Sequence, residues 1–178
     1  MTTIDQPFER PRADEFAPFY AGYIALIPDG DVRQHLRGQL DETFATLTGV
    51  SDAVANGAYA PGKWMLKEVV GHMADAERVF AYRMVRIARA DETPLSAFDE
   101  NAWVPASGAS ARTLDSLLTE FGSVRAATLS LLESLSPEAW VRRGTASGKT
   151  VSVRALAYIC AGHERHHMRI VRERYLGN

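Results

Sequence analysis

Four stretches of this chain repeat apolar residues every three or four positions, the signature of helices that bury one face. The first begins near Asp31, a plausible N-cap with Gln34 three residues on, and lines up Leu36, Leu40, Thr43, Leu47, Val50 and Val54 before Asn56-Gly57. The second runs from about Met65 to Arg89, with Leu66, Val69, Val70, Met73, Phe80, Met84 and Ile87 in register. The third starts near Thr113 and presents Leu114, Leu117, Leu118, Phe121, Val124, Thr128, Leu131 and Leu135. The fourth spans about Ser152 to Tyr175, with Leu156, Ile159, Cys160, Ile170 and Val171 inward. At about 1.5 Å per residue, four such segments have similar lengths of roughly 35–39 Å. Only short β-like stretches remain between them. The expectation is an all-α, four-helix bundle.

A chain of 178 residues fits one domain, and no repeat, low-complexity run or long linker divides it. We expect an N-terminal arm and short helical strap over residues 1–30 and the bundle over 31–178. Within the first part, residues 1–13 read as an extended arm. Residues 14–27, rich in Phe, Tyr and Ile, read as a short helix or ordered strap across the bundle. The connection from 91 to 112 is long, and loops of that size tend to be functional or disordered. Its Phe98, Asp99, Glu100 and Trp103 suggest a segment that packs on the bundle or roofs a site. Ser136-Pro137 can open another short helical turn.

Charge narrows the function. Twenty Lys and Arg against 22 Asp and Glu give a net charge of −2, which supplies no global attraction for nucleic acid. Arg142, Arg143, Lys149 and Arg154 cluster in sequence and read as a solvated loop and helix start. The single cysteine, Cys160, allows no intrachain disulfide and reads as a buried, inert thiol. Residues 1–14 lack the apolar run of a signal peptide, and no stretch is apolar enough to span a membrane. The expected location is cytoplasmic.

Histidines carry the chemistry. Of five, three fall in His163-Glu164-Arg165-His166-His167. On a helix, His163 and His167 sit one turn apart on one face, in register with Leu156, Cys160 and Ile170. A buried pair of imidazoles needs partners, because an unsatisfied polar ring in a core costs a few kcal/mol. A metal ion meets that need. His72, alone on the second segment and in register with Val69 and Ala76, is the candidate third ligand, since bundles build metal sites from facing helices. Three nitrogens leave a coordination position open for water or substrate. His35 reads as a surface residue. His166 reads as a solvated ring or one beside the ligands, and is the alternative ligand. The five residues also match the His-Glu-x-x-His protease signature, but only 11 residues follow His167, too few for the usual downstream ligand. Glu164 is a weak candidate for orienting water; a solvated surface carboxylate is the favoured alternative.

Three short pieces together resemble the DinB superfamily, especially its YfiT-like members. Tyr59-Ala60-Pro61-Gly62-Lys63-Trp64, followed by Glu68, Gly71-His72, Asp75, Glu77 and Arg78, is similar to that family's entry into its second helix. Phe98-Asp99-Glu100-Asn101-Ala102-Trp103 resembles its central loop, and Gly162-His163-Glu164-Arg165-His166-His167 its closing histidine helix. The likeness covers roughly residues 30–175. It implies an up-down-down-up bundle, one divalent metal such as zinc or nickel on His72, His163 and His167, and a homodimer. Met65 departs from the pattern, standing where relatives often have a capping Ser or Thr, at a cost of about 1 kcal/mol; this blurs the helix boundary.

The resemblance implies a metal-dependent enzyme acting on a small-molecule substrate, either a hydrolase or an S-transferase using a thiol such as bacillithiol or mycothiol. The rival expectation is a non-catalytic, stress-related dimeric helical protein whose ion staples two helices.

Overall fold

Eight helices and one hairpin make up the computed structural model, which describes residues 8–177. The first seven residues of the expected arm lie outside that range. Two 3₁₀ turns, Ala13–Glu15 and Pro18–Tyr20, lead into helix α1 (Ala21–Ala25). Then follow α2 (Val32–Leu47), α3 (Asp52–Ala55), α4 (Leu66–Ala88), α5 (Glu100–Ala106), α6 (Leu114–Glu133) and α7 (Pro137–Val141). Strands β1 (Arg143–Ala146) and β2 (Lys149–Ser152) precede α8 (Val153–Ile170), which continues as π-helical turns to Leu176.

The long helices α2, α4, α6 and α8 form the bundle, and their contacts fix its directions. Gln39 donates to the Ala161 carbonyl and Thr43 to Glu164, so α2 and α8 run parallel. Gly71 lies by Leu117 and Glu77 bonds Arg125, so α4 and α6 are also parallel. His72 faces His167 while Phe80 faces His163, which makes α4 and α8 antiparallel. Leu36 meets Arg125 and Phe44 meets Gly122, so α2 opposes α6. The order is up-down-down-up. Because α4 and α6 point the same way, the chain between them must climb back the length of α4, about 34 Å. That return explains the long connection, which is not structureless: it holds α5, capped by Asp99, and the 3₁₀ turn Ala109–Ala111.

Helix starts follow local chemistry. Side chains of Asp31, Thr113, Ser136 and Ser152 each accept a backbone N–H in the first turn of their helix, each worth about 1 kcal/mol. Met65 supplies no such oxygen, yet the Glu68 carboxylate accepts from its N–H at 2.8 Å and half the capping box survives. The first segment stops earlier than its apolar pattern. Gly49 adopts φ +79°, which ends α2 at Leu47 and leaves Val54 on the separate α3.

Two further expectations need correction. Residues 143–152 form a hairpin through the left-handed Ser147-Gly148 turn, extended by Leu95 bonding Thr145 and Ser147. On α6 the buried line passes through Arg125 and Leu132, leaving Val124 and Leu131 partly exposed. The basic cluster expected as a solvated loop and helix start is solvated only in part: Arg154 is buried on Glu15, Arg142 caps the Ala88 carbonyl, and Arg143 pairs with Asp14 at the surface.

The segment before α2 packs on α8. Gly162 makes this possible, because a Cβ there would drive into the Tyr23 carbonyl. Glu15 anchors it, accepting from Ser152 Oγ at 2.6 Å and Arg154 Nε at 2.7 Å. Burial alone would raise the Glu15 carboxyl, but these bonds outweigh it and hold it below the usual range. Among the described residues no helix is long and apolar enough to cross a membrane.

Candidate metal centre

α8 carries His163 and His167 one turn apart, and antiparallel α4 delivers His72 from about two turns inside its start. The imidazoles converge. His163 Nε2 lies 3.0 Å from His72 Nε2 and 3.1 Å from His167 Nε2, and one donor atom from each ring falls within a 4.8 Å cluster. Trp64 packs on His72 at 4.9 Å between ring centroids, Phe80 meets His163 edge-on at 5.7 Å, and Tyr23 covers His163 at 5.8 Å. The rings form an apolar collar around a polar centre.

Burial sets the charge state of that centre. It pushes His72 down to about 4 and His167 down to about 3, and holds His163 well below the usual histidine value. The neighbouring rings reinforce the shift at His163 and His167, while the Glu100 carboxylate partly opposes it at His72. At neutral pH the three rings are therefore uncharged, the form that ligates metals. Lone pairs converging at such short range repel one another unless a proton or cation lies between them. A tetrahedral ion with nitrogens at about 2.0–2.1 Å sets its ligands about 3.3 Å apart. Two of the three spacings are already close to that. The donor set fits a divalent metal of borderline softness.

Neighbouring sequence candidates fall elsewhere. Glu164 neither reaches the imidazoles nor faces solvent; both earlier readings of it fail. It projects from the adjoining face of α8 towards α2 and α6, 2% exposed, accepting from Thr43 at 2.7 Å and from Arg125 at 2.8 Å. Arg125 also bonds both oxygens of Glu77 and the Leu36 carbonyl. Burial raises the Glu164 carboxyl despite these partners. His166 is half-buried at the rim, edge-on to Tyr23 and His167. His35 is not a free surface ring: its Nε2 is buried near Gly30 without a hydrogen bond. Cys160 is buried, and burial pushes its thiol up, away from nucleophilic use.

A cleft of about 240 Å³ opens beside His167, lined by Tyr59, Lys63, Trp64, Asn101 and Tyr175. Tyr175 donates to the Trp64 carbonyl and stacks edge-on with Tyr59. Lys63, Trp64 and Asn101 stand in the sequence motifs without a role of their own, and Tyr23 lies outside those motifs. The aromatic-rich strap was the available signal for Tyr23. Nothing local places Glu100 by His72, because the path of the α4–α6 connection decides it.

Known proteins match along nearly the whole chain. The family model of the DinB superfamily matches residues 35–171, a span that includes all three converging histidines. "Putative metal-dependent hydrolase GK0616" from Geobacillus kaustophilus (strain HTA426) is 27% identical over 176 residues, covering 94% of this chain and 93% of that protein. Among solved structures, YfiT from Bacillus subtilis, described as "a probable metal-dependent hydrolase with an unusual four-helix bundle topology", aligns with a TM-score of 0.69 at 18% identity. That alignment covers 92% of this chain and 91% of YfiT, and it supports the fold.

Proposed function

Because this chain belongs to the DinB superfamily, we propose that it is a metal-dependent enzyme whose single divalent ion, zinc or nickel, is held by His72, His163 and His167. The observation that carries the proposal is the convergence of three neutral imidazole Nε2 atoms, from buried His72 and His163 and half-buried His167, next to an open cleft. When bound, the ion supplies Lewis acidity, lowering the pKa of a coordinated water or thiol and polarising a substrate oxygen. The chain's own groups do the rest. Trp64, Phe80 and Tyr23 limit water around the imidazoles, which strengthens electrostatic effects there. Glu100, half-buried and acting on His72 through its charge, would be the candidate to take a proton in this reading. Lys63 and Asn101 offer a cation and an amide to the substrate's polar groups.

Hydrolysis is the first reading, in keeping with the names of the relatives. Thiol S-transfer is the second, favoured by one observation: Glu164, the base expected from the His-Glu-x-x-His motif, is committed to Arg125 and Thr43. A thiol deprotonated by its ligation needs no such base. Zinc- and nickel-loaded protein should be assayed on ester and amide panels, and on bacillithiol or mycothiol with an electrophile. Turnover at least 100-fold above His72→Ala in one arm identifies the reaction. Equal rates for wild type and His72→Ala in both arms would leave the ion a structural staple. In this reading a second copy of the chain would cover the apolar groove between α4 and α6, where Tyr82 and Val85 are exposed. Light scattering should then give twice the monomer mass, and Val85→Glu should halve it.

A further inference from the structure

Three arginines are buried among the described residues, and two of them have carboxylates. Arg125 bonds Glu77 and Glu164, and Arg154 bonds Glu15. Arg83 has none. It is 2% exposed on α4, and its Nη2 donates to the Ser96 carbonyl at 2.7 Å and to Ser147 Oγ at 3.0 Å. Its Nε is buried without a partner, and no carboxylate lies within ion-pair reach of it among the described residues. The two neutral acceptors explain why the side chain ties the α4–α6 connection to the hairpin turn. They leave its charge uncompensated, and a buried, unpaired cation is costly.

That guanidinium lines a cleft of about 330 Å³ between α4, residues 93–98 and α5. Arg86 lines it too, and is itself spoken for by Asp91. The lining itself holds these two cations and no carboxylate. Aromatic rings form the rest of the wall. Arg83 sits over Phe98 at 5.8 Å, Phe98 packs on Trp103 at 5.0 Å, and Trp103 is 44% exposed at the mouth. The site is distinct from the imidazole cluster: Arg83 follows His72 by eleven residues on the same helix, roughly 16 Å away.

We propose that this cleft binds a small aromatic oxyanion, with its carboxylate or phosphate on Arg83 and its ring against Phe98 and Trp103. An oxyanion supplies the missing counter-charge and an acceptor for the idle N–H, and guanidinium is the cation best matched to such groups. The flat apolar wall selects a ring-bearing anion over a bare one.

Full-length protein titrated with phenyl phosphate, benzoate and inorganic phosphate tests this, read by tryptophan fluorescence and by the arginine Nε–H resonances. Saturable binding that shifts one buried Nε–H is expected, with the tighter of phenyl phosphate and benzoate naming the head group and inorganic phosphate weaker than both. Arg83→Gln should weaken binding by at least about ten-fold, the loss of a charge-assisted pair. Should that variant fail to fold, Trp103→Ala on an exposed side chain decides: it should weaken phenyl phosphate several-fold and leave inorganic phosphate unchanged. Absence of saturable binding at millimolar ligand, equal affinity in Arg83→Gln, or equal phenyl phosphate affinity in Trp103→Ala would each overturn the proposal. So would a signal lost in His72→Ala and kept in Arg83→Gln.

Discussion

Two polar clusters lie inside this bundle on adjacent faces of α8, and they are satisfied in different ways. On one face, Glu164, Arg125, Glu77 and Thr43 close on one another, with each charge hydrogen-bonded within the chain. On the next face, His72, His163 and His167 bring uncharged nitrogens together with no other group of the chain between them. Both sit in an apolar interior, where an unmet polar group costs about 1–3 kcal/mol or more. The first cluster is complete and serves as scaffold. In the second, His163 Nε2 has one proton or one lone pair and can serve only one of its two neighbours, so the three rings are all satisfied only with something added. A buried polar group becomes informative about function when its partners cannot be found in the chain.

The sharpest way to break that contrast is to remove Arg125. Arg125→Met should cost about 3–5 kcal/mol in urea unfolding, because two carboxylates lose their buried cation. Adding Glu77→Gln and Glu164→Gln should recover part of this, and an unchanged midpoint in the single variant would mean the cluster is not structural. His163→Ala should behave in the opposite sense. It removes the central ligand, so metal affinity by competition titration should fall at least about 100-fold, while metal-free stability stays near wild type.

Acidification separates the clusters further. His72 and His167 titrate in the folded state at about 4 and about 3, below the unfolded value near 6.5. The unfolded chain therefore binds more protons as pH drops below 6.5. The stability contributed by these neutral rings is full above that pH and is lost as pH falls through the folded values. Metal-free protein should thus lose stability between about pH 6.5 and pH 3, and a His72→Phe, His167→Leu double variant should lose less over that window. The smallest effect expected is at the wall of the site. Gly162→Ala should displace the Tyr23 segment and cost about 1–3 kcal/mol, visible as a lower melting temperature with the metal stoichiometry kept.

How much of this was readable in advance follows from the range of each interaction. The long helices and the His163/His167 pair were legible because helical periodicity and one-turn spacing are local properties. His72 was legible as the only histidine on its own core-facing helix. The Arg125 cluster was not: its partners stand 48 and 39 residues away, and a charge is buried only when such distant groups happen to meet it. The same holds for Glu164, whose motif suggested a base until its face of α8 was known. Gly49 cut the first segment against its apolar pattern, and the hairpin came from a left-handed turn and a pairing with Leu95. Tyr23 and Glu100 reach the site on connecting segments, whose course no periodicity encodes.

One measurement bears most directly on the central claim: metal analysis of protein purified without an affinity tag, joined to X-ray absorption of the bound ion. One ion per chain, with three imidazole nitrogens at about 2.0–2.1 Å and a further position filled by a light atom or sulfur, is the predicted result. Wild-type protein that holds no more metal than His163→Ala, or an ion without imidazole ligands, would contradict it.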